Sequence, residues 1–205
     1  LPEDALARVT LVSLSTTLTT NSVVEGKGSP VCALLIGYDA KQVETSGLVG
    51  LLGQEGIVTI AGGHDAQGNE AVPLDEVALT EAVLRQRDKV SAFAISASFS
   101  VRNPGHELRA REIVEALSHR PVTCGHELAS SLGAPRRAMT VALNARMIAH
   151  VRALLESVRG LLAARGIQAP LMIVKGDGSL INADSALRRP VGTVLSGPAA
   201  SVVGA

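Results

Sequence analysis

The sequence predicts an α/β fold: a mixed, largely parallel sheet with helices on both faces. Three observations carry that reading. Val31 to Tyr38 (VCALLIGY) and Val90 to Val101 (VSAFAISASFSV) are continuous apolar runs of strand length. A strand apolar on both faces belongs inside a sheet covered on both sides. Between them, Leu74 to Asp88 spaces Val77, Leu79, Val83 and Leu84 at roughly helical intervals. Strands alternating with helices are the signature of a parallel sheet joined by crossovers.

The remaining elements follow in order. Arg8 to Leu14 reads as a strand, and Thr16 to Gly26 as a helix with Ser15 or Thr16 at its N-cap and Gly26 at its end. Residues Asp39 to Gly56 carry no clear period. Ile57 to Ala61 is a strand, and Gly62 to Pro73 a polar, glycine-containing connection. After the turn Asn103-Pro104-Gly105, with Pro104 suited to the first helical position, Glu107 to Ser118 is helical and Pro121 to Cys124 a strand. Arg136 to Arg165 is the longest helical pattern, with Gly166 as its C-cap. Ala169 to Lys175 is a strand that runs into the turn Gly176-Asp177-Gly178. A short strand at Thr193 to Leu195 and a helix from Pro198 complete the chain. The polar stretch Glu127 to Arg137 breaks the alternation and marks a boundary, giving segments 1–130 and 131–205.

Composition removes several function classes. Lys plus Arg number 19 and so do Asp plus Glu, so no net field draws the chain to nucleic acid or to an anionic membrane. Tyr38, Phe93 and Phe99 are the only aromatic residues, too few for the stacking platforms of single-strand binders. No apolar stretch reaches the ~18 residues of a bilayer span, and a cytoplasmic location is expected. Cys32 and Cys124 lie in apolar, strand-like runs and read as buried reduced thiols. The chain starts at Leu1 and stops within the apolar run Val202 to Ala205, which reads as an internal fragment of a longer protein.

Local motifs are few. Gly26-Lys27-Gly28-Ser29 lacks the upstream glycine of a P-loop, because Asn21 occupies that place, and it reads as a helix end plus a turn. Of the five histidines, three precede an acid: His64-Asp65, His106-Glu107 and His126-Glu127. Such pairs in loops or at helix starts are caps and exposed turns, or they contribute acid/base or metal-ligating groups at one end of a sheet. Asp177, between two glycines just after a strand, is either a turn aspartate or a site carboxylate. Thr16, Thr17 and Asn21 put hydroxyl and amide groups at a strand-to-helix junction, which suits capping or an anionic ligand.

Several segments, in order, resemble the hydantoinase A/5-oxoprolinase family. They are STTLTTNSVVEG at Ser15 to Gly26, PLDE at Pro73 to Glu76 and AISASFSVRNPGHE at Ala94 to Glu107. CGHELAS at Cys124 to Ser130, MTVALNA at Met139 to Ala145, APLMIVKGDGSL at Ala169 to Leu180 and PVGTVLSGPAASVVGA at Pro190 to Ala205 continue the series. Leu14-Ser15 stands where that family has His-Gly, and Lys175 to Ser179 where it has Gln-Ser-Asp-Gly-Gly.

The resemblance implies part of an actin/sugar-kinase/chaperone-like ATPase fold. Residues 1–130 would belong to the N-terminal hydantoinase/oxoprolinase domain and 131–205 would begin the hydantoinase A domain. It implies ATP and Mg²⁺, with the phosphate-binding loops outside this chain. It implies a cyclic amide substrate of hydantoin or 5-oxoproline type, a hydantoinase B-type partner subunit, and a possible homo-oligomer. Asp177, His106 and Asn144 are the catalytic candidates it points to, and Thr16, Thr17, Asn21 and Gly197 the cleft candidates; the metal ligands stay unassigned. Asp184 to Arg189 would be a variable connector. An acetone-carboxylase-like subunit and a non-catalytic module of the same fold are the rival readings.

Overall fold

The structure is a computed structural model and describes residues 6, 8–15, 28–128 and 133–188. The helix expected at Thr16 to Gly26, the strand at Thr193 to Leu195, the helix from Pro198, and the candidates Thr16, Thr17, Asn21 and Gly197 lie outside the described residues. The chain divides into two compact units, Ser29–Arg146 and a second made of Leu1–Gly28 with Met147–Ala205.

In the Ser29–Arg146 unit, strand β2 (Val31–Ile36) has all six residues buried, and so does β6 (Ala92–Ala97). They are the two central strands of a parallel sheet ordered β3-β2-β6-β7, with β3 at Ile57–Ile60 and β7 at Val122–Cys124. The two-residue period of a strand sends alternate side chains to opposite faces, and two separate cores result. Cys32, Leu34 and Ile36 join Leu79, Val83, Ala110 and Val114 on one face, against helices α3 (Glu76–Gln86) and α4 (Gly105–Ser118). Val31, Ala33 and Leu35 join Leu48, Ala134, Ala138 and Val141 on the other, with Leu48 from α2 (Leu48–Leu52) and the rest from the start of α6 (Ala134–Ala164). Both faces are therefore covered by helix, as the doubly apolar runs require.

The unassigned stretch Asp39 to Gly56 folds as α1 (Ala40–Ser46), α2 and a 3-10 turn Gln54–Gly56. Asp39 caps α1 by accepting from the Gln42 N–H at 2.7 Å, while Gln42 returns a bond to the Asp39 N–H. The connection Gly62 to Pro73 contains a small antiparallel hairpin, β4 (Gly63–His64) with β5 (Glu70–Val72). Asp65 closes its turn by accepting from the Gln67 and Asn69 N–H groups, both at 2.9 Å. The second long run ends as strand at Ala97, before Val101, because Phe99 adopts a left-handed φ of 54° and turns the chain.

In the other unit, β1 (Val12–Leu14) pairs in parallel with β8 (Leu171–Val174), which pairs antiparallel with β9 (Leu180–Asn182). Val151 and Leu155 of α6 pack there with Leu171, Ile173, Ala183 and Ala186. The stretch read as a connector is instead helix α7 (Ala183–Arg188), opened by Asn182 accepting from the Asp184 N–H at 2.8 Å. A side-chain acceptor at a helix start supplies what the first orphan N–H groups lack. Among the described residues no helix is long and apolar enough to cross a membrane.

The two-faced burial of β2 has a measurable consequence. Leu34→Ala, at a site with 0% exposure, is expected to destabilise the chain by ~2–5 kcal/mol through lost transfer energy and a residual cavity. Val77→Ala, at a position 71% exposed on α3, is expected to change stability by no more than ~0.5 kcal/mol. Urea-denaturation midpoints of the two variants check both values.

Candidate functional site

Parallel α/β sheets place their sites at the C-terminal ends of the strands, where the loops leave room for a ligand. In the Ser29–Arg146 unit that edge is formed by the residues after Ile36, Ile60, Ala97 and Cys124. The loops after β2 and β3 approach each other closely. A Cβ on Gly37, whose φ is +70°, would stand 2.4 Å from the Gly62 carbonyl oxygen, so only glycine fits. The Gly37 N–H donates to the Ile60 carbonyl at 3.0 Å. A depression of about 300 Å³ lies beside this contact, lined by Gly37, Tyr38, Thr59, Ile60, Gly62 and Val72 among others.

The first turn of α4 supplies two functional groups from adjacent positions. His106 is 6% exposed. Its Nδ1 accepts from the Gly63 N–H at 3.0 Å, and its Nε2 lies 2.7 Å from Glu70 Oε1. An Nδ1 that accepts carries no proton, so Nε2 bears the hydrogen and donates it to Glu70. His64 lies against the same ring, with centroids 4.3 Å apart. His64 is itself 6% exposed, and its Nδ1 is buried without a hydrogen-bond partner. Burial, and then the neighbouring His106, hold the His64 imidazole below its ordinary pKa of 6.5.

Glu107, the next residue, is fully buried. Its Oε1 accepts from the Ala97 N–H at 2.8 Å, and its Oε2 accepts from the His126 N–H at 2.9 Å and lies 2.6 Å from His126 Nδ1. His126 belongs to the short helix α5 (Gly125–Leu128), directly after β7. A Cβ on Gly125 would sit 2.9 Å from Glu107 Oε1 and 3.1 Å from Ser96 Oγ, so the backbone is pressed against the carboxylate. Around it, the Tyr38 hydroxyl donates to the Ala134 carbonyl at 2.8 Å and is left to accept from Ser96 Oγ, also at 2.8 Å. Arg137 is 1% exposed and donates to the Ala97 carbonyl at 2.8 Å. Cys124 lies beneath, with burial pushing its thiol up to about 12 against the opposing pull of Arg111. Cys32 and Cys124 are both buried and free.

The three His-acid dipeptides do not pair internally. His106 takes Glu70, Glu107 takes His126, and Glu127 takes Arg111 at 2.7 Å. Asn144 is fully buried in the same unit and donates to Thr123 Oγ1 at 3.2 Å. Asp177 stands in the other unit, in the exposed turn between β8 and β9. It accepts from the Ser179 N–H and hydroxyl at 3.0 and 2.7 Å and from Lys175 Nζ at 2.9 Å. Those bonds, the Ser179 hydroxyl first, hold its carboxyl well below the usual carboxylate range. The sequence signals for Tyr38 and Glu70 as site members were absent, because each acquires its role from a partner tens of residues away.

Two outcomes follow. His64 has a folded pKa below its unfolded one, so the unfolded chain binds the proton more readily. Stability is therefore full above pH 6.5 and falls as pH drops through that value toward the folded pKa, with a slope of at most ~1.4 kcal/mol per pH unit. Denaturation midpoints measured between pH 7.5 and 5 are expected to show this decline, shallower in His64→Gln. Asp177→Asn is expected to melt within about a degree or two of the parent, since an exposed turn carboxylate contributes no more than ~0.5 kcal/mol. A parallel loss of turnover of ~10²-fold or more would assign Asp177 to the chemistry, and unchanged turnover would confine it to its turn.

The model of the hydantoinase/oxoprolinase N-terminal region matches residues 2–118, and that of the hydantoinase/oxoprolinase domain matches residues 137–205. The alpha subunit of caprolactamase from Pseudomonas jessenii is 33% identical over 144 residues, covering 69% of this chain and 21% of that one. The gamma subunit of acetophenone carboxylase from Aromatoleum aromaticum is 24% identical over 230 aligned positions, covering 98% of this chain and 31% of that one. Among solved structures, the ATP-dependent caprolactamase of Pseudomonas jessenii superposes with a TM-score of 0.88 at 28% identity over 98% of this chain. Nucleotide-free acetone carboxylase shares the fold, with a TM-score of 0.78 at 21% identity. The chain spans about a fifth to a third of the length of these relatives. With family models covering both of its halves, the chain belongs to the hydantoinase/oxoprolinase family.

Proposed function

We propose that this chain is part of a subunit of an ATP-dependent enzyme that opens a cyclic amide. The observation that carries the reading is the superposition on ATP-dependent caprolactamase across 98% of the chain. A lactam carbonyl is a poor electrophile, and its nitrogen is a poor leaving group. ATP would supply a phosphoryl group to the carbonyl oxygen. Water would add to the activated carbon, and the C–N bond would break to open the ring as an acyl phosphate, with the proton taken up by the amine. A second water would release the acid and phosphate. The residues of this chain would bind and orient around that chemistry. His106, with both ring nitrogens held by Gly63 and Glu70, would fix the loop after β3 at the sheet's C-terminal rim. Asn144, Asp177, Thr16, Thr17, Asn21 and Gly197 remain lining candidates by family position.

In this reading the nucleotide and its metal bind outside the described residues. Mg²⁺ takes a near-octahedral set of oxygen ligands. The only cluster of three or more His, Cys, Asp and Glu ligand atoms among the described residues is Glu107, Cys124 and His126. One carboxylate, one thiol and one imidazole do not fit that ion. The relatives are named as alpha and gamma subunits, which supports a partner subunit of hydantoinase B type for this protein too. A cytoplasmic setting accords with an ATP-dependent reaction.

The test is made on the full-length protein with its partner subunit, offered caprolactam, 5-oxoproline and hydantoin in turn. ADP and ring-opened acid are expected in equal amounts with one of these, independent of bicarbonate. ADP formation that demands bicarbonate and yields a carboxylated product would establish the carboxylase reading instead. Absence of ATP turnover with both substrate classes would leave a non-catalytic module. The isolated 205-residue chain is expected to fold and to show no ATP hydrolysis.

A further inference from the structure

We propose that Glu107, Cys124 and His126 form a binding site for one borderline-soft divalent transition-metal ion, of which Zn²⁺ is the best match. Glu107 Oε2, Cys124 Sγ and His126 Nδ1 all lie within 4.8 Å of one another. They come from two places that the fold brings together, the first turn of α4 and the β7–α5 junction. A carboxylate, a thiolate and a neutral imidazole together carry two negative charges, which a divalent ion cancels. Zn²⁺ accepts this mixture of oxygen, sulfur and nitrogen, whereas Mg²⁺ and Ca²⁺ do not take the sulfur.

The surroundings are those of a prepared site. Glu107 Oε1 is held by the Ala97 N–H, and Oε2 by the His126 N–H, so the carboxylate is oriented by two backbone donors before any ion arrives. Outer-shell bonds of this kind fix ligand geometry in metal sites. Arg111, beside Cys124 and paired with Glu127, supplies a donor next to the sulfur. The Glu107 and Cys124 ends are fully buried, while the His126 side chain retains 20% exposure and opens one path to solvent.

Binding asks for an adjustment of about 1 Å at the ligand atoms, the sulfur included, since atoms as far as 4.8 Å apart must close to about 3.6 Å on one ion. His126 Nδ1 and Glu107 Oε2 stand 2.6 Å apart, a hydrogen-bond distance. Two ligands on one tetrahedral zinc at about 2.0–2.2 Å stand about 3.3 Å apart. The pair must therefore open by less than ~1 Å. The balance is one proton: the Cys124 S–H bond breaks as the metal–sulfur bond forms, and the thiol proton leaves to solvent. The imidazole stays neutral, its hydrogen moving from Nδ1 to Nε2 through solvent. Three protein ligands leave the fourth tetrahedral position for water, the pattern of open rather than closed zinc sites.

The experiment reads metal binding alone, so its outcome is independent of the cyclic-amide reading. The full chain, stripped with a chelator, is titrated with Co²⁺ and followed by absorption. Expected are one Co²⁺ per chain, the intense visible bands of a tetrahedral ion, a sulfur-to-cobalt charge-transfer band, and displacement by Zn²⁺ with release of one proton. Cys124→Ser is expected to lose the charge-transfer band, and His126→Gln to weaken binding by at least ~10²-fold, beyond the 10–100-fold typical of outer-shell changes. Cys32→Ser is expected to bind as the parent does. The parent titration needs no variant to be decisive: absence of the charge-transfer band at millimolar Co²⁺ overturns the proposal. Retention of the band in folded Cys124→Ser, or its loss in folded Cys32→Ser, overturns it equally.

Discussion

A buried carboxylate organises the C-terminal edge of the parallel sheet. Glu107 has no contact with water, and a carboxylate in that position requires donors on both oxygens. It finds them in the Ala97 N–H, the His126 N–H and the His126 ring. These bonds join the end of β6, the start of α4 and the start of α5. The Ala97 carbonyl, meanwhile, accepts from the buried Arg137. The last residue of the central strand is thus held by an acid on its N–H and a base on its C=O. Buried ionic groups of this kind add little net stability compared with well-packed apolar ones. Their effect here is positional: they set where β6 stops and where the following elements begin.

The neighbouring residue reaches the opposite way. His106 binds the Gly63 N–H and Glu70, and so ties α4 to the loop after β3. Successive residues of a helix point about 100° apart, so a His-Glu dipeptide at a helix start serves two different neighbours at once. The loop it meets depends on glycine. A Cβ on Gly62 would stand 2.8 Å from Ile36 Cγ2 and 3.4 Å from His106 Nδ1. Gly37 faces the same crowding from the other side, against the Gly62 carbonyl. The polar groups of the edge and the small residues beneath it are therefore one construction, in which backbone approach decides which side chains can meet.

These relations explain which features were readable in the residues. The runs at Val31 and Val90 were legible because double-sided burial leaves no polar positions, and the long helix at Arg136 because its period persists for many turns. The β4–β5 hairpin was not, since strands of two and three residues are too short to show alternation. Helix α7 was missed because six residues hold less than two turns of pattern. The end of β6 was placed too late because Phe99, an apolar residue suited to a strand, takes a left-handed conformation there. At the candidate site, the histidines and their adjacent acids were visible as dipeptides. Their partners were not, because adjacent residues on a helix do not face each other. Pairing Glu107 with His126 requires knowing that β7 lies beside β6.

The same division between packing and polar chemistry accounts for how the family relation reads. The fold is retained over 98% of the chain against caprolactamase at 28% identity. The two cores consist almost wholly of Ala, Val, Leu and Ile, and exchanges among such residues that conserve volume cost less than ~1.5 kcal/mol each. Many sequences can therefore fill this sheet. Polar groups at the edge have less freedom, because most of their oxygens and nitrogens meet donors or acceptors at hydrogen-bond distance. A change from carboxylate to amide at position 107 would place an N–H₂ group among donors. A side chain at position 62 would displace the loop that His106 binds. Drift in the core leaves the architecture intact, while one exchange at the edge changes what the architecture can hold.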